Sequence, residues 1–299
     1  ADLCGSSRMG LIKYVMALMN GARLGIAAQS VGLSQAAYNE GLAYARDREQ
    51  FGKAIIEMPA VYDMLATIKA KLDAGRALLY HCARAVDVYK ALEDVSRERK
   101  LTAEERAEMK AYNKLADSLT PLAKGMNSEY CNQNTYDSLQ IHGGSGFMMD
   151  YPIQRYARDA RITSIYEGTT QLQVVAAIRF VMNGAYLAHL RELEQQEVSP
   201  EMQELQERAR KMADSFEAAV ERVKAAGVQE YQDICARHLV EMAADTLMLH
   251  LLTYNATQAP ELFGKSARVY ARYAAAEVEK HATFVNELSP EDLDSYRQA

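Results

Sequence analysis

Residues 59–86 read PAVYDMLATIKAKLDAGRALLYHCARAV. Their apolar positions Val61, Leu65, Ile68, Leu72, Leu79, Cys82 and Val86 recur with the 3.6-residue period of an amphipathic helix. Pro59 suits the first helical turn, where its missing N–H costs nothing. The same texture extends in both directions. Upstream, residues 7–49 are helical in character and rich in small residues. Ala22, Gly25, Ala28, Gly32 and Ala36 lie three or four apart, so they share a face that another helix can approach closely. Residues 52–57 form a turn. Downstream, the charged stretch 93–108 interrupts the apolar pattern, and its acidic and basic side chains read as a solvated surface insertion. Within it Thr102 and Glu105 match a capping box, so a new helix starts there and runs toward Ile141. Pro121 is expected to bend that helix, and Gly143 and Gly144 to end it.

A short helix is expected from about Tyr151 and Pro152 to Arg161. A connector over 162–168 leads to another helix from Thr169 to Asn183, closed by Gly184. Residues 191–200 read as a polar linker, with Ser199 and Pro200 as N-cap and first helical residue. Three long helical patterns follow, broken near Gly227 and Pro260, with Ile234, Leu239, Met242, Leu247 and Leu251 on inner faces. No run alternates apolar and polar residues, so the expected class is all-α. The expected organisation is a helical bundle over 1–190 and an additional helical domain over 191–299.

Composition narrows the function. The 299 residues suffice for a sizeable core. A formal net charge of -6 argues against a nucleic-acid footprint. Cys4, Cys82, Cys131 and Cys235 have no paired spacing and read as buried small hydrophobes in a reducing, cytoplasmic setting. The six histidines show no metal-binding spacing. No apolar run reaches the ~18 residues of a membrane span. The chain opens at Ala1 without an initiator Met, which reads as a fragment.

The most chemical stretch is 140–173. It holds Gln-Ile-His-Gly-Gly-Ser-Gly-Phe at 140–147, Arg-Asp-Ala-Arg at 158–161 and Ile-Tyr-Glu-Gly-Thr-Thr-Gln at 165–171. Glycine clusters let backbone approach a ligand closely. The helix beginning near Thr169 offers free N–H groups and a positive dipole end. By spacing alone, Glu167 reads as a helix-terminal acid that complements the dipole. The glycines, likewise, read as a helix stop and turn.

Residues 140–173 closely resemble the signature of the acyl-CoA dehydrogenases, Q-I-x-G-G-x-G-[FY] followed by R-D-A-R-I-x-x-I-Y-E-G-T-x-Q-[IL]-Q. Residues 47–53, Asp-Arg-Glu-Gln-Phe-Gly-Lys, resemble the family's R-x-x-F-G-K turn. Asn20 and Arg23, with Ala28 and Gly32, resemble N-x-x-R-x-x-x-A-A-x-x-x-G. The three blocks follow the family's order and cover residues 10–184.

The resemblance implies FAD-dependent α,β-dehydrogenation of an acyl-CoA thioester, with electrons passed to an electron-transfer flavoprotein. An acyl-CoA oxidase and a non-catalytic flavin-binding descendant are the alternatives. The family's N-terminal helical domain and middle β domain are absent, so this half is expected to be inactive alone. Glu167 matches the catalytic base. Asn20, Arg23 and Tyr166 match substrate-side positions, and Tyr166 reads equally well as a core aromatic. Gly168, Thr169 and Gln171 match residues that touch the flavin. Arg48, Gln50 and Phe51 match a turn that reaches the flavin of a neighbouring subunit. Gln140, Ile141, Gly143 and Gly144 match a backbone cradle for its adenosine end, which implies a homo-oligomer. Two departures stand out: Met58 and Pro59 replace a polar pair, and Asn20 occupies a position often acidic. The resemblance further implies that residues 1–190 form the family's C-terminal four-helix bundle, and the helices after Ser199 resemble the extra helical domain of longer bacterial members.

Overall fold

The computed structural model describes Gly10 and residues 15–297. Cys4 and most of residues 7–14, where the first helical segment was expected to begin, lie outside them. In chain order the elements are α1 (Met16–Asp47), a two-strand ribbon of β1 (Glu49–Gln50) and β2 (Lys53–Ala54), and a 3₁₀ turn (Ile55–Glu57). Next come α2 (Pro59–Glu98), α3 (Ala103–His142), α4 (Gly144–Phe147), α5 (Ile153–Thr163), α6 (Thr170–Met182) and α7 (Ala185–Leu193). A 3₁₀ turn (Pro200–Met202) precedes α8 (Gln203–Ala226), α9 (Gln229–Gln258) and α10 (Pro260–Glu287). A last 3₁₀ turn (Pro290–Asp292) leads into α11 (Leu293–Arg297). The fold is all-α, as the periodicity predicts, and among the described residues the only sheet is the β1–β2 ribbon.

The helix boundaries follow from local chemistry. Pro59 and Pro260 occupy the first turns of α2 and α10. Gly227, at φ +64°, ends α8 in the left-handed conformation. The capping box closes in both directions: Glu105 N–H donates to Thr102 Oγ1 (3.2 Å), and Thr102 N–H donates to Glu105 Oε2 (2.8 Å). Residues 93–108 are largely exposed, as expected, but most of them extend α2 and begin α3 instead of forming a loop.

α3 continues through Pro121 without a break. Proline there removes one helical donor. The carbonyl that loses its donor is Asp117 O, and the carbonyls on either side of it carry side-chain bonds: Tyr186 of α7 donates its hydroxyl to Ser118 O (2.7 Å) and Thr120 Oγ1 donates to Ala116 O (2.7 Å).

α7 corrects the linker expected from residue 191, since helix persists to Leu193 and buries Tyr186, Leu190 and Leu193. The small-residue face of α1 is left open. Gly25, Ala28 and Gly32 are exposed, whereas Arg23, Ile26, Ala27, Ser30, Val31 and Ser34 face inward.

α1, α2 and α3 pack along one another, and α8, α9 and α10 form a second trio seated on α2 and α6. One apolar cluster runs from Ala27 to Leu293, across residue 190. Polar contacts cross the same seam: Ser266 Oγ donates to Asp73 Oδ2 (2.6 Å), and Tyr130 OH donates to Asp245 Oδ1 (2.7 Å). Burial of Cys82 and Cys131 pushes their thiols up, to about 11 and about 12, so both act as inert core residues.

Candidate active site

The residues singled out by sequence gather at two places. The first is the connector between α5 and α6. The α5 helix closes with Ile165 N–H and Tyr166 N–H both donating to Ile162 O, at 2.9 and 3.1 Å. The chain then reverses through two consecutive positive-φ residues, Glu167 (φ +57°) and Gly168 (φ +91°). Glycine accepts that conformation at little cost, but a glutamate pays ~1–2 kcal/mol for it, and such strain persists only where the surroundings over-determine it.

The surroundings do so. Arg23 Nε donates to Glu167 O (3.2 Å), and Gln173 Nε2 donates to Glu167 O (3.4 Å) and Gly168 O (3.0 Å). Lys124 Nζ donates to Gly168 O (2.7 Å). A Cβ on Gly168 would lie 2.8 Å from Gln173 Nε2 and 3.4 Å from an Arg23 guanidinium nitrogen, so the clamp closes directly on the glycine. Thr169 caps α6 by accepting from Leu172 N–H (3.3 Å), and Thr170 Oγ1 donates to Glu129 Oε1 (2.5 Å).

Of the substrate-side positions, Arg23 and Tyr166 belong to this turn, and Asn20 lies three residues earlier than Arg23 on α1. Arg23 is buried. Burial lowers its guanidinium pKa, while the nearby Glu167 charge opposes that shift. Tyr166 OH donates to Gln29 Oε1, across the exposed face of α1. Tyr166 is therefore half-exposed and is not a core aromatic. Asn20 Nδ2 donates to Asp117 Oδ1 (3.0 Å) on α3. Gln171 is exposed at the start of α6. Around the turn, Ile162, Ile165, Leu172 and Val175 present apolar side chains to the outside, with Val175 60% exposed.

The second place joins the ribbon to the glycine cluster. Arg48 follows α1 directly, with its N–H bonded to Tyr44 O (2.9 Å). Glu49 pairs with Ala54 and Gln50 with Lys53 around Phe51 (φ +55°) and Gly52 (φ +79°). Positive φ at both central residues is the mark of a type I′ hairpin turn. Phe51 stands at the tip, 87% exposed, which excludes a core role for it within this chain. Arg48 lines a cleft of about 330 Å³ with Glu40, Tyr44, His142, Ser145 and Tyr151. Tyr44 stacks on His142 at 4.3 Å between ring centroids. Gln140, Gly143 and Gly144 are exposed beside it, whereas the Ile141 side chain is buried with Ala45, Ile55, Leu65 and Ile68.

Thus Arg23, Tyr166, Glu167, Gly168, Thr169 and Gln171 lie at one place, with Asn20 three residues before Arg23 on the same helix, and Arg48, Gln50, Phe51, Gln140, Ile141, Gly143 and Gly144 lie at the other. A cavity of about 600 Å³, lined by Arg222, Tyr231 and Asn286, belongs to neither. Lys124 and Gln173 escaped the sequence reading. The available signal for Lys124 was a lone cation in Leu-Thr-Pro-Leu-Ala-Lys-Gly-Met, residues 119–126.

An all-α scaffold thus carries a strained Glu-Gly turn just before a helix N-terminus, with Glu167 half-buried beside exposed apolar side chains. Residues 24–171 match the family described as acyl-CoA dehydrogenase, C-terminal domain, and residues 182–293 match that described as acyl-CoA dehydrogenase C terminal. The chain belongs to the acyl-CoA dehydrogenase family.

Caffeyl-CoA reductase-Etf complex subunit CarC of Acetobacterium woodii is 36% identical over 158 residues, which are 53% of this chain and 35% of that protein. Acryloyl-CoA reductase (NADH) of Anaerotignum propionicum is 36% identical over 182 residues, 61% of this chain and 40% of that protein. An acyl-CoA dehydrogenase of Bacillus subtilis is 33% identical over 184 residues, 62% and 42%. The chain therefore spans well under half the length of these relatives. The acyl-CoA dehydrogenase complexed with FAD from Bacillus anthracis superposes with a TM-score of 0.73 at 21% identity, over 91% of this chain and 49% of that one, which establishes the shared fold.

Proposed function

We propose that this chain supplies the general base and one wall of the FAD pocket for α,β-dehydrogenation of acyl-CoA thioesters in the whole protein. The observation that carries this reading is the Glu167–Gly168 turn. A carboxyl group is held on a strained backbone by Arg23, Lys124 and Gln173, just before a helix N-terminus and beside an outward apolar face.

The chain's own residues account for the proton. An α-proton beside a thioester carbonyl is a weak acid, and a positioned carboxylate removes it best where water is excluded. Glu167 provides the acceptor oxygen. Ile162, Ile165, Leu172 and Val175 provide apolar surface that an acyl chain or a cofactor ring covers, and covering them dries the carboxylate. To the Glu167 N–H this reading assigns the polarisation of the thioester carbonyl.

The residues present fit FAD on one side. In the first turn of α6 the Thr170 and Leu172 N–H groups are bonded within the chain, which leaves that of Gln171 for a ligand, and Arg48 offers a charge-assisted partner for a pyrophosphate beside the exposed Gly143 and Gly144. When bound, FAD supplies the acceptor for the β-hydrogen and its electron pair.

The same proton position serves the reverse reaction, in which Glu167 returns a proton to the α-carbon. Two of the relatives are named reductases, which supports that direction equally. An electron-transfer flavoprotein is the proposed partner in the oxidative direction. The exposed Arg48 and Phe51 fit a role toward the cofactor of a second copy in a homo-oligomer. No described helix is long and apolar enough to cross a membrane.

Full-length protein is expected to purify with FAD and to lose its flavin absorbance on anaerobic addition of an acyl-CoA or, for a reductase, to regain it when the reduced protein meets an enoyl-CoA. Silence toward both thioesters sinks the reading. Peroxide release in air marks an oxidase. Arg48→Ala is expected to weaken FAD retention about tenfold or more, the worth of one charge-assisted hydrogen bond, with unchanged oligomeric mass by light scattering. Unchanged flavin content, or a purely monomeric wild type, removes Arg48 from the cofactor site.

A further inference from the structure

Lys124 lies on α3, one residue before Gly125, and its side chain is wholly enclosed. Its short hydrogen bond goes to a backbone carbonyl, Gly168 O at 2.7 Å, and not to a carboxylate. A buried ammonium is an expensive way to fill space, and an apolar side chain of similar volume holds a helix interface at least as well. The charge therefore calls for a reason outside packing.

The electrostatics give the sign. Burial dominates and brings the Lys124 ammonium down to about 8; Glu129 raises it, Arg23 lowers it and Glu167 raises it. Glu129 is shared with Thr170 Oγ1 and with Arg237, whose nitrogen lies 3.8 Å away. The folded value lies below the ordinary lysine value of 10.5. The unfolded chain therefore holds this proton more tightly, and the fold gains stability as pH rises from about 8 toward 10.5. At neutral pH the charge opposes the fold.

What the charge does hold is the turn. Glu167 and Gly168 are both left-handed, and their carbonyls receive Arg23, Gln173 and Lys124 from α1, α6 and α3. Three elements thus meet on two peptide groups, and the direction of the Glu167 side chain follows from those two peptides. We propose that Lys124 is a positioning residue for Glu167: its ammonium fixes the Gly168 carbonyl and thereby the left-handed turn that aims the carboxyl group. This rests on the reading of Glu167 as the base, and Lys124 touches neither substrate nor cofactor.

The test uses the full-length flavoprotein and three variants. Lys124→Met keeps the length of the side chain and removes the charge. Its melting temperature at pH 7 is expected to equal or exceed the wild type's, with full FAD content and a KM within about twofold. Its kcat is expected to fall ~10-fold to 10²-fold, the effect of a base misplaced by a fraction of an ångström to one ångström. The wild type's advantage over this variant should shrink above about pH 8, as Lys124 itself loses its proton. Lys124→Arg, charged throughout, should keep its kcat flat to pH 10 relative to the wild type.

Wild-type kcat in Lys124→Met overturns the proposal, as does a loss of kcat that merely tracks lost FAD or lost folding. If Lys124→Met yields no folded protein, the pH profiles of wild type and Lys124→Arg decide, and parallel profiles overturn it. Glu167→Gln separates the two claims. An inactive Glu167→Gln beside a fully active Lys124→Met removes the positioning role alone, whereas a fully active Glu167→Gln removes the base and the positioning role together.

Discussion

Glu167→Gln in the full-length protein is expected to lower turnover ~10²-fold to 10⁴-fold, the usual loss when a positioned general base is removed. The change should leave the architecture alone, for a reason visible in the hydrogen bonds. The four bonds that hold the turn end on the main-chain oxygens of Glu167 and Gly168, and none of them uses the Glu167 carboxylate. An amide at this position keeps the side-chain length and polarity, and it meets the same φ of +57° that glutamate tolerates. What disappears is the proton acceptor and the negative charge beside Arg23. Flavin content and melting temperature should stay near the wild-type values, and acyl-CoA should still bind. The measurement is single-turnover flavin reduction alongside steady-state kcat. A variant that reduces its flavin within tenfold of the wild-type rate would falsify Glu167 as the base.

The parts of this molecule that were legible from sequence are those decided by neighbours in the chain. The period of Leu65, Ile68, Leu72 and Leu79 fixes the buried face of α2. Thr102 with Glu105, Thr169, Pro59, Pro260 and Gly227 fix helix ends through bonds or dihedral limits within four residues. Glu167 was legible as a residue but not as a conformation. Nothing local announces a left-handed glutamate, because its strain is borne by Arg23, 144 positions away, and by Lys124, 44 positions from the carbonyl it holds.

The small-residue face of α1 shows the complementary limit. Spacing identifies Gly25, Ala28 and Gly32 as a surface that permits close approach, yet it carries no information about what approaches, and among the described residues nothing covers it. α7 was missed because Tyr186, Leu190 and Leu193 span too few turns to establish a period. The change of style near residue 191 is real in composition. The apolar core nevertheless continues through it, because α9 and α10 bury their inner faces against α2, α3 and α6.

That continuity carries a second large effect, at Asp245 on α9. Asp245 Oδ1 accepts from Tyr130 OH (2.7 Å) on α3 and Tyr270 OH (3.0 Å) on α10, and the two hydroxyls lie 3.0 Å apart. Burial raises the carboxyl to about 7 from an ordinary 3.8; the two tyrosine hydrogen bonds lower it, Glu241 raises it and His281 lowers it. Lys71, which lies over the Tyr273 ring at 4.3 Å, faces the same carboxylate. The folded state therefore binds the proton more tightly than the unfolded chain. Its contribution to stability is present below about pH 4 and is lost as pH rises toward 7. At ~1.4 kcal/mol per pH unit, that loss is on the order of 4 kcal/mol.

Asp245→Asn mimics the protonated form and accepts from both tyrosines. Its amide N–H groups then need acceptors, which costs ~1–3 kcal/mol if they find none. The variant should be more stable than the wild type by about 1–3 kcal/mol at pH 8. That advantage should reverse by about pH 4, where the wild-type carboxyl is itself protonated and the cost of the unpaired amide remains. Urea denaturation of both proteins across pH 4–8 reads the difference, because the titrating groups that do not interact with Asp245 cancel. A difference that stays flat with pH would mean that Asp245 keeps its charge through solvation or through Lys71. The seam between the two helix trios would then be held by an ionised carboxylate and not by a neutral hydrogen-bond cluster.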